Sequence, residues 1–315
     1  MTDPGKIDLS TGAILRARPP KNAVDAARPY AFFVEPECSA TGEVVEVATL
    51  FLTNRECPWR CLMCDLWKNT TDESVPPGAI PRQIDYALAQ LPPARQIKLY
   101  NSGNFFDAQA ILPTDHRAIA ERLRRFEHVI VENHPKLCGE SCVRFRDACG
   151  TTLEVALGLE TVHPQVLPRL NKGMTLDDFA RAVEFLLARG IAARAFILLR
   201  PPFLSESEGV EWAMKSVEYA FSLGVGCCSV IPTRAGNGIM ERLAGAGLFS
   251  PPTIRSLEQV LDYGLSLARG RVFADLWDIE RLFDCTECGP RRARRIAARN
   301  LSQRWEPAVS CQRCG

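Results

Sequence analysis

The sequence predicts an α/β fold, a partial (β/α)6 barrel of the TIM type with a small C-terminal four-cysteine metal module. Three observations predict it. Short apolar, β-branched runs alternate with segments of helical periodicity from about residue 44 onward, the pattern of a parallel sheet with helices outside it. Polar turns follow those runs directly, where a barrel places its chemistry. Two Cys-x-x-Cys pairs, Cys285/Cys288 and Cys311/Cys314, are separated by a basic segment, a spacing suited to one tetrahedral metal.

The expected strands are Val45–Thr53, Gln96–Tyr100, His128–Val131, Leu153–Leu159, Ala193–Leu199, Cys227–Ile231 and Val272–Leu276. The clearest helix is Thr175–Gly190: Thr175 and Asp178 form a capping box, Gly190 stands where a helix stops, and Phe179, Val183, Leu186 and Leu187 share one face. Ser205–Gly224 repeats the plan, and Pro113–Phe126 carries Ile119, Leu123 and Phe126 on one stripe. A doubly wound sheet would fit the alternation too, but no GxGxxG follows the first strand, which disfavours a dinucleotide fold. Residues 1–43, rich in Pro, Ala and charge, read as an N-terminal extension, 44–276 as the barrel and 277–315 as the metal module.

Composition narrows the function classes. The 315 residues, 46% hydrophobic, suffice for one large core and a small appended module. A formal charge of +1 argues against a surface that binds polyanions everywhere. The start of the sequence lacks the apolar stretch of a secretory signal, and no run of about 18 apolar residues occurs, so a cytoplasmic protein without a membrane span is expected. Thirteen cysteines, an odd number, point to reduced thiols that bind metal rather than to a disulfide framework. Cys38, Cys138, Cys142, Cys149, Cys227 and Cys228 read as buried small hydrophobes.

The remaining cysteines fall into two groups. Cys57-Pro58-Trp59-Arg60-Cys61-Leu62-Met63-Cys64 follows the first expected strand as a CxxxCxxC. Three thiolates on one loop can hold three corners of a [4Fe-4S] cluster and leave the fourth iron open. An open iron suits S-adenosylmethionine (SAM), whose amine and carboxylate can chelate it so that an electron reaches the sulfonium and yields a 5′-deoxyadenosyl radical. A zinc loop is the rival reading, but a structural zinc takes four ligands and no fourth is adjacent. The sequence therefore predicts a radical SAM enzyme with Cys57, Cys61 and Cys64 as cluster ligands. Such an enzyme needs an electron donor such as flavodoxin or ferredoxin.

The strand ends supply candidate SAM contacts beside Met63 of the cluster loop. Asn101, Ser102, Gly103 and Asn104 follow the second expected strand, Glu132 ends the third, Glu160 ends the fourth and Arg200 ends the fifth. Glu160 could accept from the SAM ammonium or ribose, Ser102-Gly103 lets backbone approach the methionyl end, and Arg200 could pair with the carboxylate. His134 reads as a satisfied histidine rather than a catalytic one.

These residues resemble the radical SAM core of the Elongator catalytic subunit and, over longer stretches, the archaeal radical SAM subunit of archaeosine synthase and its bacterial relatives. The resemblance rests on Tyr100–Asp107, Val131-Glu132, Ala156–Thr161, Asn171-Lys172-Gly173, Leu199–Glu206, Glu241-Arg242-Leu243 and Pro251-Pro252, and covers about residues 45–262. It implies a partial TIM barrel and a radical step on a nucleoside in tRNA. Ser102-Gly103-Asn104 stands where many radical SAM proteins carry Gly-Gly-Glu.

The C-terminal cysteines read as a zinc site or, alternatively, an auxiliary iron–sulfur cluster. Arg291, Arg294 and Arg295 between the pairs share a helical face that would suit RNA phosphates. The leading expectation is radical chemistry on a modified nucleoside in tRNA. The alternatives are a radical SAM enzyme acting on a small-molecule metabolite and a non-catalytic zinc-stabilised nucleic-acid-binding protein.

Overall fold

The computed structural model describes residues 7–314, so the first six residues of the expected N-terminal extension and Gly315 after the second knuckle lie outside the described residues. One sheet holds eight strands in sequence order: β1 (Ala31–Cys38), β2 (Val44–Phe51), β3 (Gln96–Tyr100), β4 (His128–Asn133), β5 (Thr152–Glu160), β6 (Ala192–Leu199), β7 (Cys227–Pro232) and β8 (Arg271–Ala274). β1 pairs antiparallel with β2, and every later pair is parallel. All seven expected strands are present, with ends shifted by a few residues. The difference is β1, which lies inside the segment read as an extension. Pro36 and the charges Glu35 and Glu37 hide it from a search for apolar runs; proline in a sheet is tolerated at an edge.

The helices are α1 (Thr11–Ala17), α2 (Ala79–Leu88), α3 (His116–Leu123), α4 (Glu140–Cys149), α5 (Val166–Arg169), α6 (Leu176–Leu187), α7 (Glu206–Ser222), α8 (Ile239–Gly245), α9 (Ile254–Ser266) and α10 (Gly289–Ser302). The capping box of α6 forms between Thr175 and Asp178, and α7 has its own between Ser205 and Glu208. Gly190 and Gly224 follow these helices with φ of +68° and +87°, the left-handed geometry a helix stop requires. Among the described residues no helix is long and apolar enough to cross a membrane.

Strand alternation separates two interiors. Leu50, Leu99, Val131, Leu157, Ile197 and Val230 point outward and join the helices in the main apolar core. Their neighbours point into the barrel. At its base Arg194 bonds Glu154 at 2.5 Å and Glu37 at 2.7 Å, Lys98 bonds Glu37 at 2.5 Å and Glu35 at 3.1 Å, and Arg271 bonds Glu154 at 3.0 Å. These pairs tie β1, β3, β5, β6 and β8 together. Despite burial, which opposes ionisation, the cations beside it hold Glu37 low, at about 2. α10 packs against β8 and β1, and the Gln303 amide just beyond it bonds the backbone of Val272.

The buried network makes one prediction. Arg194→Met should leave Glu37 and Glu154 partly uncompensated and destabilise the fold by about 3–5 kcal/mol. A denaturant midpoint unchanged from wild type would contradict it.

Candidate functional site

The cluster loop starts where β2 ends. Its backbone is held from several sides: Leu62 N–H donates to Leu170 O at 2.8 Å, and the Asn237 amide donates to Leu62 O at 2.8 Å and Cys64 O at 3.0 Å. Trp67 donates its indole N–H to Cys64 O, and Asn171 bonds Arg60 O. Glu56, next to the first cysteine, gathers Arg18, Lys21 and Arg60. Trp59 stacks on His134 with ring centroids 3.8 Å apart. His134 accepts from Lys136 N–H at Nδ1 and lies 3.1 Å from Lys172 O at Nε2. Burial and the Lys172 charge push it down to about 3, so it is the satisfied, neutral histidine expected.

The three thiols are half-buried and free. Burial raises all three, Cys61 to about 11; a bound metal reverses this by stabilising thiolate. The Asn104 amide donates to Cys57 Sγ at 3.2 Å. The three sulfurs do not close into a single-ion site: among the described residues, the group of ligand atoms lying within 4.8 Å of one another is Cys285, Cys288, Cys311 and Cys314. Three thiols on one loop, set wider than a mononuclear site, suit a polynuclear cluster with one corner free.

The ends of neighbouring strands converge on this loop. Glu132 is half-buried, and its carboxylate accepts from the backbone N–H groups of Asn101 and Gly103. Burial raises Glu132 to about 7, against the pull of those N–H groups. Its visible task is to shape the 101–103 turn, where Ser102 takes a φ of 52° and bonds the Tyr30 hydroxyl at 2.8 Å. Asn101 is 0% exposed, yet neither polar atom of its side chain has a partner. Thr53, Asn54 and Thr233, at the ends of β2 and β7, also carry orphaned buried oxygens. Buried polar groups are normally satisfied, and these orphans lie at the ends of the strands that flank the cysteine loop.

Glu160 also takes a left-handed φ, 65°, at a bulge in β5, and bonds Lys172 at 2.6 Å. Burial opposes the Lys172 charge, but Glu160 and Cys61 raise it. Gly158 makes room for the pair: a Cβ there would lie 2.3 Å from both Glu160 Oε1 and Lys172 Nζ. Sequence reasoning used Lys172 only as part of a resemblance; its signal as a site residue is a lysine twelve positions after a strand-end glutamate. The structure does not bring Arg200 to the cysteines. Its guanidinium pairs with Glu206 and bonds Pro251 O, so the carboxylate it meets belongs to the chain itself. Met63 packs with Phe203 beside the loop.

The C-terminal sulfurs do converge. Cys285 and Cys311 Sγ are 4.0 Å apart, and Cys288 and Cys314 Sγ are 3.4 Å apart. Metal–sulfur bonds of about 2.3 Å place tetrahedral sulfurs roughly 3.8 Å apart, so the spacing fits one ion. The arginines correct one expectation. Arg295 is buried and bonds Glu258 at 2.8 Å and Asp262 at 3.0 Å on α9, while Arg292 and Arg299 pair with the same carboxylates. Helical geometry placed Arg295 on a basic face, but its charge is spent within the fold. Arg291 and Arg294 remain exposed.

This spacing predicts about one zinc per chain from four thiolates. Metal analysis of a Cys288→Ser variant should show its loss. Four irons per chain at these cysteines would contradict a single-ion site.

No family model matches the chain. It is 29% identical over 252 residues to archaeosine synthase subunit beta of Methanosarcina acetivorans, covering 72% of this chain and 71% of that one. The same-named subunit of Thermococcus kodakarensis is 31% identical over 178 residues, 52% of this chain and 53% of that one. The fold matches Methanocaldococcus infernus Elp3 with a TM-score of 0.51 and 17% identity, over 70% of this chain and 58% of that one. It matches methylornithine synthase, PylB, with a TM-score of 0.52 and 13% identity, over 80% and 69%. With the cysteine triad at the end of β2 and the strand-end groups around it, these relatives and folds support an enzyme of the radical SAM class.

Proposed function

We propose that this chain holds a [4Fe-4S] cluster with Cys57, Cys61 and Cys64, cleaves SAM there, and directs the resulting radical to a modified nucleoside in tRNA. One observation carries the first part: orphaned buried polar groups and a buried Glu160–Lys172 pair surround a loop of three free thiols. When bound, the cluster supplies the electron that breaks the carbon–sulfur bond of SAM. The chain does the rest. Lys172 offers a buried cation to the methionyl carboxylate, and Glu160 offers lone pairs to the ribose diol or the ammonium. Asn101 fills its empty valences on the same ligand. Glu132 fixes the 101–103 turn so that backbone groups can approach closely. The main core and the bonded cluster loop exclude water from one side.

The tRNA part rests on the archaeosine synthase relatives and on the exposed Arg291 and Arg294 beside the four-cysteine site. That site is a structural zinc site in this reading. An external donor, flavodoxin or ferredoxin, brings the electron. Thirteen free cysteines accord with a reducing cytoplasm.

The test is anaerobic reconstitution. Wild-type protein should cleave SAM to 5′-deoxyadenosine, and the Cys57→Ala, Cys61→Ala, Cys64→Ala triple variant should not. Cleavage surviving in the triple variant refutes the cluster assignment. Glu160→Gln should weaken SAM binding by about 1–3 kcal/mol, the range of a charge-assisted hydrogen bond. Mass spectrometry of tRNA nucleosides from a deletion strain should show one modified nucleoside missing or replaced by its precursor. Unchanged tRNA would leave a small-molecule radical SAM enzyme.

A further inference from the structure

The turn after β3 is pressed onto the first cysteine of the triad. A Cβ at Gly103 would lie 3.4 Å from Cys57 Cβ, and the Asn104 amide donates to Cys57 Sγ at 3.2 Å. Among the described residues, Cys57 is the member of the triad whose sulfur accepts from a side chain. After burial, the strongest influences on Cys61 are the charges of Lys172 and Glu160. One sulfur of the triad thus sits beside a neutral amide and another beside an ion pair.

Asn104 has little freedom. It is 4% exposed. Glu132 grips both of its neighbours: the carboxylate accepts from Gly103 N–H at 3.2 Å, and the backbone carbonyl accepts from Phe105 N–H at 2.9 Å. The Asn133 side-chain oxygen accepts from Phe106 N–H at 3.2 Å, and the rings of Phe105 and Phe106 are buried beside Phe145. The amide is therefore fixed by the fold before anything binds the cysteines. Its acceptor is informative. A thiol sulfur is a weak acceptor, a poor match for a buried amide donor. A thiolate is an anion, and a hydrogen bond to it is charge-assisted. Burial pushes the Cys57 thiol up, while the Trp59 backbone N–H, the Asn104 amide and the charges of Lys172 and Arg60 favour its thiolate.

We propose that Asn104 tunes the cluster: its amide N–H bonds the Cys57 thiolate that ligates one iron, and this bond raises the cluster's reduction potential. The inference rests on the cluster assignment made above. Reduction adds one electron to the cluster, taken from the flavodoxin or ferredoxin, which is oxidised by one electron. The added negative charge is shared by the thiolate ligands. A fixed N–H aimed at one of those sulfurs stabilises the reduced cluster more than the oxidised one, so the donor's electron is accepted more readily. Asn104 is a positioning residue, acting through Cys57. Its place in the sequence groups it with the candidate SAM contacts, but its Nδ2 group is engaged by the chain's own sulfur.

The test is a potentiometric titration of the reconstituted full chain without SAM, followed by the paramagnetic resonance signal of the reduced cluster. Asn104→Leu nearly keeps the volume and removes the donor, and its potential should shift below that of wild type. Asn104→Ser retains a shorter donor and should shift less. Because SAM is absent, a lost SAM contact cannot produce the shift, and a purely structural role would lower cluster content or melting temperature without moving the potential. A Leu variant whose potential equals or exceeds that of wild type overturns the proposal. Loss of the cluster from both variants also overturns it, by making Asn104 a structural residue. Failure of the cluster assignment looks different: wild type then gives no reducible [4Fe-4S] signal, or the Cys57→Ala, Cys61→Ala, Cys64→Ala triple variant keeps it.

Discussion

The structure depends on one constraint, a barrel whose base is charged on the inside. Period-two alternation sends every second strand residue outward to the helices, and the other half must be satisfied without them. At the base this is done by charge. Glu35, Glu37, Lys98, Arg194, Glu154 and Arg271 come from five strands and neutralise one another. Such a network contributes little net stability compared with an apolar plug, but it is severely perturbed when one member is lost. Its effect is to fix strand against strand, including β1, which lies at the sheet edge and runs against the rest.

A rigid base permits strain at the other end. Ser102, Glu160 and Arg200 end β3, β5 and β6 with φ of 52°, 65° and 54°. Left-handed backbone at non-glycine residues costs about 1–3 kcal/mol each and persists where the surroundings impose it. Here each strained residue turns a side chain or a backbone group. Ser102 opens the turn that Glu132 holds, Glu160 swings to Lys172 across the side-chain-free Gly158, and Arg200 leaves the lumen for Glu206. Two of the three serve the cluster side. The third joins the barrel to α9, because Glu206 also accepts from Thr253 and Ser256 at that helix start.

Much of this was legible in the sequence, for physical reasons that differ from element to element. Apolar strands such as Ala192–Leu199 stand out because their outward halves are Leu, Ile and Ala. α6 and α7 announce themselves through their caps. β1 does not, because its inward residues include Glu35 and Glu37, and inward charge reads as loop until the network is seen. The cysteine triad and the paired knuckles are local in sequence, so spacing suffices to find them. The Glu160–Lys172 pair and Asn101's orphaned amide become visible only when distant segments are assembled. Arg200 and Arg295 misled for one reason: a strand end or a helical face says where a side chain starts, not which carboxylate it meets.

The two cysteine groups differ in geometry as their spacing in sequence suggests. The triad sits on one loop and leaves its sulfurs too spread for one ion, whereas the knuckles bring sulfurs to 3.4 Å and 4.0 Å. The four-cysteine site is also not an independent appendage. Arg255, near the start of α9, pairs with Asp284 and donates to Cys314 O, while Ser256 beside it bonds the Glu206 that holds Arg200. Arg292 and Arg295 fasten α10 to Glu258 one turn along. A metal there would fix the start of α10, and α10 packs against both edge strands of the sheet. The module's stability and the barrel's shape are therefore linked through α9 and α10. An ion held by four thiolates would thus bear on the cysteine-triad loop it does not touch, by holding together the edges of the sheet that carries it.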